Sequence, residues 1–113
     1  MNVAVESYGH AVILILKGEL TEDSIGAVKK AVDHQLEDSG VIDVVLNLKE
    51  VPFVDSAALE YTLDLQDRLA ERLGQVKFVC ADENVATILE MTRLRSAFEI
   101  FDDVPQAMKA LQP

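Results

Sequence analysis

The segment VIDVVLNLKEV, residues Val41 to Val51, is apolar at nearly every position and is bounded by Gly40 and Pro52. A strand with one face in water alternates apolar and polar residues, so a run that is apolar on both parities reads as a strand covered on both faces. Such a strand belongs at the centre of a sheet. Its cover has to come from neighbouring segments, and on either side the hydrophobic period changes. In LTEDSIGAVKKAVDHQLEDSG, Ile25, Val28, Val32 and Leu36 fall at i, i+3, i+7 and i+11, one face of a helix. Thr21 is placed to cap that helix, Glu22 and Asp23 suit the positive end of its dipole, and Gly40 lies just past its end. Ser56 to Leu73 reads as a second helix, with Ala58, Leu65 and Leu69 on one stripe, Leu59 and Leu63 beside it, and Gly74 at its end.

The remaining segments complete the alternation. VAVESY and HAVILILKG are rich in Val and Ile and meet at Tyr8-Gly9-His10, which predicts an antiparallel hairpin. QVKFVCA is a strand. Asp82 caps a third helix with Val85, Ile88, Leu89 and Thr92 on one face, and FEIF is a short strand. Asp102 or Asp103 caps a last helix, which carries Val104, Ala107, Met108 and Leu111 at i, i+3, i+4 and i+7 with Pro105 in its first turn. The order β-β-α-β-α-β-α-β-α implies an α/β fold, a mixed and mostly parallel sheet of about five strands covered by about four helices joined by right-handed crossovers. At 113 residues, with no linker or repeat, the chain 1–113 is expected to form a single domain.

Charge and motifs exclude several functions. Twenty acidic against ten basic residues give a formal net charge of −10, which repels nucleic-acid phosphates and anionic lipid headgroups. No basic segment precedes the first apolar run, and Val12 to Leu16 is too short to span a bilayer, so no direct membrane insertion is expected. A lone cysteine, Cys80, fits a reducing compartment, and the expected location is the cytoplasm. His10, His34 and Cys80 share no metal-ligand spacing, and the five glycines form neither GxGxxG nor GxxxxGK[ST], so no metal, cofactor or nucleotide is expected. A small α/β enzyme rests only on Cys80, Asp55 and Ser56 near carboxyl strand ends, without a base or a cofactor motif.

Attention falls on Asp55-Ser56, in VPFVDSAALEYTLDL, where the apolar run gives way to the second helix. In open α/β sheets, sites lie at the carboxyl ends of strands, where loops lead into helices. The plain reading is a helix cap, since Asp or Ser in this position accepts a hydrogen bond from a free backbone N–H of the first turn. The functional reading is a phosphoacceptor. A phosphate brings a charge of about −1.5 to −2, tolerated at a helix N-terminus and able to abolish docking of a partner.

The order of elements, the stretch VVLNLKEVPFVDSAALEYTL and the ending FEIFDDVPQAMKAL resemble the STAS domain of bacterial anti-sigma factor antagonists over essentially the whole chain. The resemblance implies a binding protein rather than an enzyme. In that family the unphosphorylated domain binds an anti-sigma factor that is also a serine kinase, and phosphorylation ends the binding. The switch lies in a pattern Asp-Ser-Ser-Gly-Leu whose second serine is the usual acceptor. Here Asp55, Ser56 and Leu59 match, Ala57 stands at the acceptor position and Ala58 replaces glycine.

That departure leaves three readings open: a permanently competent antagonist, a switch moved to Ser56, or a docking module outside sigma control. The last resembles the small STAS subunit of bacterial lipid-transport ABC systems, whose partner is the transporter ATPase. Ser56 is the phosphorylation candidate. The expected partner surface comprises Pro52, Phe53, Asp55, Ser56, Ala57, Glu60 and Tyr61, the loop and the first turns of the helix. Tyr61 is either an interface anchor or a core residue with its hydroxyl at the edge. Glu60 and Asp64 share a face that suits a basic patch, or are simply solvated, and Arg93 and Arg95 are weaker contact candidates.

Overall fold

The computed structural model describes residues 1–79, 82–91 and 99–111. Cys80, Thr92, Arg93 and Arg95 lie outside the described residues. The elements run β1 (Asn2–Tyr8), β2 (Ala11–Lys17), α1 (Ile25–Leu36), β3 (Asp43–Glu50), α2 (Ser56–Ala70), β4 (Val76–Val79), α3 (Glu83–Met91), β5 (Glu99–Phe101) and α4 (Val104–Ala110). The expected order and the mixed five-stranded sheet are both present.

The strands lie in the order β1-β2-β3-β4-β5, so the apolar run that demanded a central position has it. β1 and β2 are antiparallel and the other three pairings are parallel. Gly9 and His10 form the two-residue turn of the hairpin, and Gly9 takes a φ of 60°, costly for a residue with a Cβ.

Alternation along the strands divides the interior into two layers. Val12, Leu14, Leu16, Val44, Leu46, Leu48, Val76 and Phe78 point to one face, where α1, α2 and α3 cover them with Ile25, Val28, Val32, Leu65, Leu69, Val85 and Leu89. Ala11, Ile13, Val45 and Val79 point to the other, where α4 supplies Ala107 and is followed by Leu111. Two buried charges at the strand ends are matched. Asp43 accepts a 2.8 Å hydrogen bond from the Gln75 N–H and lies 2.9 Å from His10 Nε2. Lys77 reaches Glu99 at 2.8 Å. His10, without a role in the sequence reading, thus partners a buried carboxylate.

Two helix ends differ from expectation. Thr21 does not cap α1: Thr21 to Ser24 form a turn, Ser24 is the residue before the helix, and its hydroxyl accepts from the Thr21 N–H at 2.9 Å and donates to the Glu19 carbonyl at 2.7 Å. At the end of α1, Arg72 donates to the carbonyls of Leu36 at 2.7 Å, Val41 at 3.0 Å and Asp38 at 3.3 Å. The Leu36 carbonyl is an acceptor that the helix terminus leaves open, and the other two belong to the loop that leads to β3. Past α2, the left-handed residue is Leu73, with φ 63° and a side chain 91% exposed, not Gly74. Gly74 is required for a different reason, because a Cβ there would fall 1.7 Å from the Ile42 carbonyl oxygen.

Neighbouring positions therefore respond oppositely. Leu73→Gly relieves left-handed strain of about 1–2 kcal/mol, less the chain entropy of glycine, and raises stability by about 0.5–1 kcal/mol. Gly74→Ala forces the β3 approach apart and lowers stability by about 2 kcal/mol or more. Urea unfolding of both variants tests the assignment, and a gain at 74 or a loss at 73 contradicts it.

Candidate functional site

The loop after β3 is held by backbone pairing to the loop after β2. The Leu20 N–H donates to the Phe53 carbonyl at 2.9 Å, and the Asp55 N–H donates to the Leu20 carbonyl at 3.1 Å. Leu20 and Val54 are buried beneath this bridge, which leaves Pro52 and Phe53 outside. Phe53 is 44% exposed, an aromatic ring facing solvent at the carboxyl end of the sheet.

Asp55 is the N-cap of α2. One carboxylate oxygen accepts from the Ala58 N–H at 2.9 Å, as a cap should, and the other accepts from the Glu22 N–H at 2.9 Å. One side chain therefore starts α2 and ties down the loop that leads into α1. The N–H groups of Ala58 and then Glu22 favour the charged form and hold the carboxyl below the usual carboxylate range.

Ser56 and Ala57 face different ways. Ser56 is the first residue of α2 and is exposed. Ala57 lines a shallow groove of about 340 Å³ between the starts of α1 and α2, together with Glu22, Lys29, Glu60, Tyr61 and Asp64. Three carboxylates against one ammonium make this groove acidic. Pro52, Phe53, Ser56 and Glu60 are exposed, and Asp55 and Ala57 are half-buried.

Tyr61 departs from the expected surface. It is buried in the main core, and its hydroxyl has no hydrogen-bond partner among the described residues. Lys29 Nζ lies 5.5 Å from the centre of its ring, and the pair of Arg68 and Asp33, 2.9 Å apart, joins α2 to α1 nearby. Burial, and after it the charge of Asp33, push the phenol up to about 12. The neighbouring Thr62 is also buried, donating to the Leu59 carbonyl at 2.7 Å, a polar residue at a core position between Ala58 and Leu65. Among the described residues no cluster of three or more His, Cys, Asp or Glu side chains is arranged to hold a metal ion. No described helix is long and apolar enough to cross a membrane.

The STAS domain family model matches residues 2–107. The chain belongs to the STAS domain family. An anti-sigma F factor antagonist from Paenibacillus polymyxa is 26% identical over 114 residues, covering 99% of this chain and 97% of that relative. The fold is shared with an anti-sigma factor antagonist from Mycobacterium paratuberculosis, at a TM-score of 0.87 and 20% identity over 99% of this chain and 94% of that one. It is also shared with the Bacillus cell fate determinant SpoIIAA in its phosphorylated form, at a TM-score of 0.74 and 14% identity over 98% of this chain and 100% of that one. Within this STAS domain, Asp55 caps α2 and Ser56 begins it, beside the exposed Phe53.

Replacing Asp55 removes both of its hydrogen bonds, and Asp55→Ala is expected to lower stability by about 1–2 kcal/mol at neutral pH. A carboxyl whose pKa is depressed by folding contributes fully above its unfolded value, about 4, and loses that contribution as pH falls through the lower folded value. The deficit of Asp55→Ala measured by urea unfolding should therefore be full at about pH 7 and should shrink towards about pH 3. Tyr61→Phe removes a buried hydroxyl that satisfies no partner, so its melting temperature should equal or exceed that of the wild type. A loss above about 1 kcal/mol would reveal a hydrogen bond at that hydroxyl.

Proposed function

We propose that this STAS domain is a cytoplasmic anti-sigma factor antagonist, a regulator that acts by binding rather than catalysis. Its partner is an anti-sigma factor of the serine-kinase type, and its contact face comprises Pro52, Phe53, Asp55, Ser56, Ala57 and Glu60. The observation that carries this reading is the combination of an exposed Phe53 with an Asp-Ser helix start at the carboxyl end of the central strand. An exposed aromatic beside polar groups is the composition of an interface hot spot. The anti-sigma factor antagonists among its relatives support the role.

Ala57 fixes the form that regulation takes. A residue without a hydroxyl cannot accept a phosphate, so the unmodified face is competent for binding whatever a kinase does at position 57. Ser56 is the hydroxyl available to a kinase in this turn. A phosphate there adds negative charge one turn before Glu60 and opposes any acidic partner surface, while the N-terminal dipole of α2 tolerates it. Tyr61 supports the face from beneath instead of touching the partner.

The test is to recover the protein from its own cells, identify bound partners and map modifications by intact-mass and peptide mass spectrometry. Capture of a serine-kinase anti-sigma factor is expected, with binding weakened roughly 30-fold, about 2 kcal/mol, by Phe53→Ala. If phosphate is found on Ser56, Ser56→Ala should remove it and Ser56→Glu should weaken capture. Capture of a transporter ATPase in place of an anti-sigma factor would overturn the proposal.

A further inference from the structure

The two edges of the sheet are not alike. β5 is three residues long and carries the charged Glu99. β1 is seven residues long, pairs with β2 in unbroken register, contains neither proline nor lysine, and has one charged residue, Glu6. Six of its seven residues are exposed, including Val5 at 37% and Tyr8 at 52%. A long, regular, nearly uncharged edge lacks the devices that keep sheets from adding strands.

The hairpin determines which backbone groups face outward. A two-residue turn closes on a hydrogen-bonded pair, here Tyr8 with Ala11, so by alternation Glu6, Ala4 and Asn2 also bond to β2. Val3, Val5 and Ser7 consequently direct their N–H and C=O groups away from the sheet. We propose that two copies of this chain join edge to edge through β1, in an antiparallel pair centred on Val5 that continues the sheet across a two-fold axis.

The self-complementarity of the strand selects this occupant and this register. With Val5 opposite Val5, Val3 of one copy stands opposite Ser7 of the other, and every outward N–H meets an outward C=O. A shift by two residues either way leaves one of the three outward positions of each copy unmatched. The same register places Glu6 opposite Ala4 rather than opposite Glu6 of the second copy, so no like charges face each other directly. Tyr8 stands opposite Asn2 of the second copy. None of Pro52 to Glu60 takes part, and the dimer would present that face twice.

A contact along one strand edge belongs with small, transient interfaces, so association at micromolar to millimolar concentration is expected. Each copy carries a net charge of −10, and added salt should favour the dimer by screening the repulsion. Sedimentation velocity of the full chain from about 10 µM to about 1 mM, at low and high salt, should show the dimer rising with both. Amide exchange should slow at Val3, Val5 and Ser7 as concentration rises.

Val5→Pro removes the central outward donor without touching the bonds to β2, and is expected to weaken the dimer at least about 10-fold while circular dichroism stays that of the wild type. Val5→Lys, which sets two ammonium groups at the axis, is the second variant should the proline disturb folding. A wild type that is monomeric throughout overturns the proposal, as does a dimer that the folded variants retain. Neither result bears on capture of an anti-sigma factor, which uses other residues.

Discussion

Everything else in the fold follows from the burial of β3 on both faces. A strand covered on one side would need a single layer of helices, but Val44, Leu46 and Leu48 point into one core and Val45 into the other. Helices therefore stand on both sides of the sheet, and parallel connections supply them because each crossover deposits a helix on a face. The distribution is uneven. α1, α2 and α3 cover one layer while α4 packs against β3, β4 and β5 on the other. β1 is consequently packed by α1 on one face and left without a helix on the other among the described residues, and it has the open edge.

At the carboxyl end of β3 one carboxylate meets two structural requirements at once. Asp55 has to satisfy the Ala58 N–H because α2 begins there, and its second oxygen is free to take the Glu22 N–H from a loop 33 residues away. That second bond fixes two crossover loops relative to each other. Phe53, Ser56 and Glu60 thus project from a rigid support, so a partner meeting this face would lose little affinity to ordering it. The plain reading of Asp55 as a cap and its reading as part of an interface are compatible, because the cap supplies the rigidity.

The element order was legible in the sequence because hydrophobic period is a local property that burial imposes directly. The Asp55 cap was legible for the same reason, its partner being three residues away. What was not legible depended on contacts distant in sequence. Thr21 carries the right hydroxyl for a cap, yet the bridge from Leu20 to Val54 and the bond from Glu22 to Asp55 hold its loop in a turn, and α1 starts after Ser24. Gly74 marked the end of α2, but its need is the close approach of Ile42, and the left-handed position fell to Leu73. Tyr61 and Thr62 stand three and four residues past Ala58, on the arc that Leu65 and Leu69 continue, but each carries a hydroxyl, so the apolar pattern alone does not assign them to the core. Their burial is decided by packing distant in sequence, α2 against the sheet and, through Arg68–Asp33 and Lys29–Tyr61, against α1.

Ala57 shows how the same geometry separates chemistry from recognition. Successive residues on a helix point about 100° apart, so Ser56 and Ala57 cannot occupy one environment. Position 57 lies against Glu22, Glu60 and Asp64, whereas position 56 lies in solvent. A phosphate at 57 would enter a groove already holding three carboxylates and one lysine. A methyl group there leaves the groove acidic but available to a basic side chain, and the hydroxyl next to it in the turn, Ser56, faces solvent instead. Two adjacent positions of one helical turn thus differ in whether they can carry a hydroxyl-linked charge and in where that charge would lie, one in the acidic groove and the other in solvent beside Asp55.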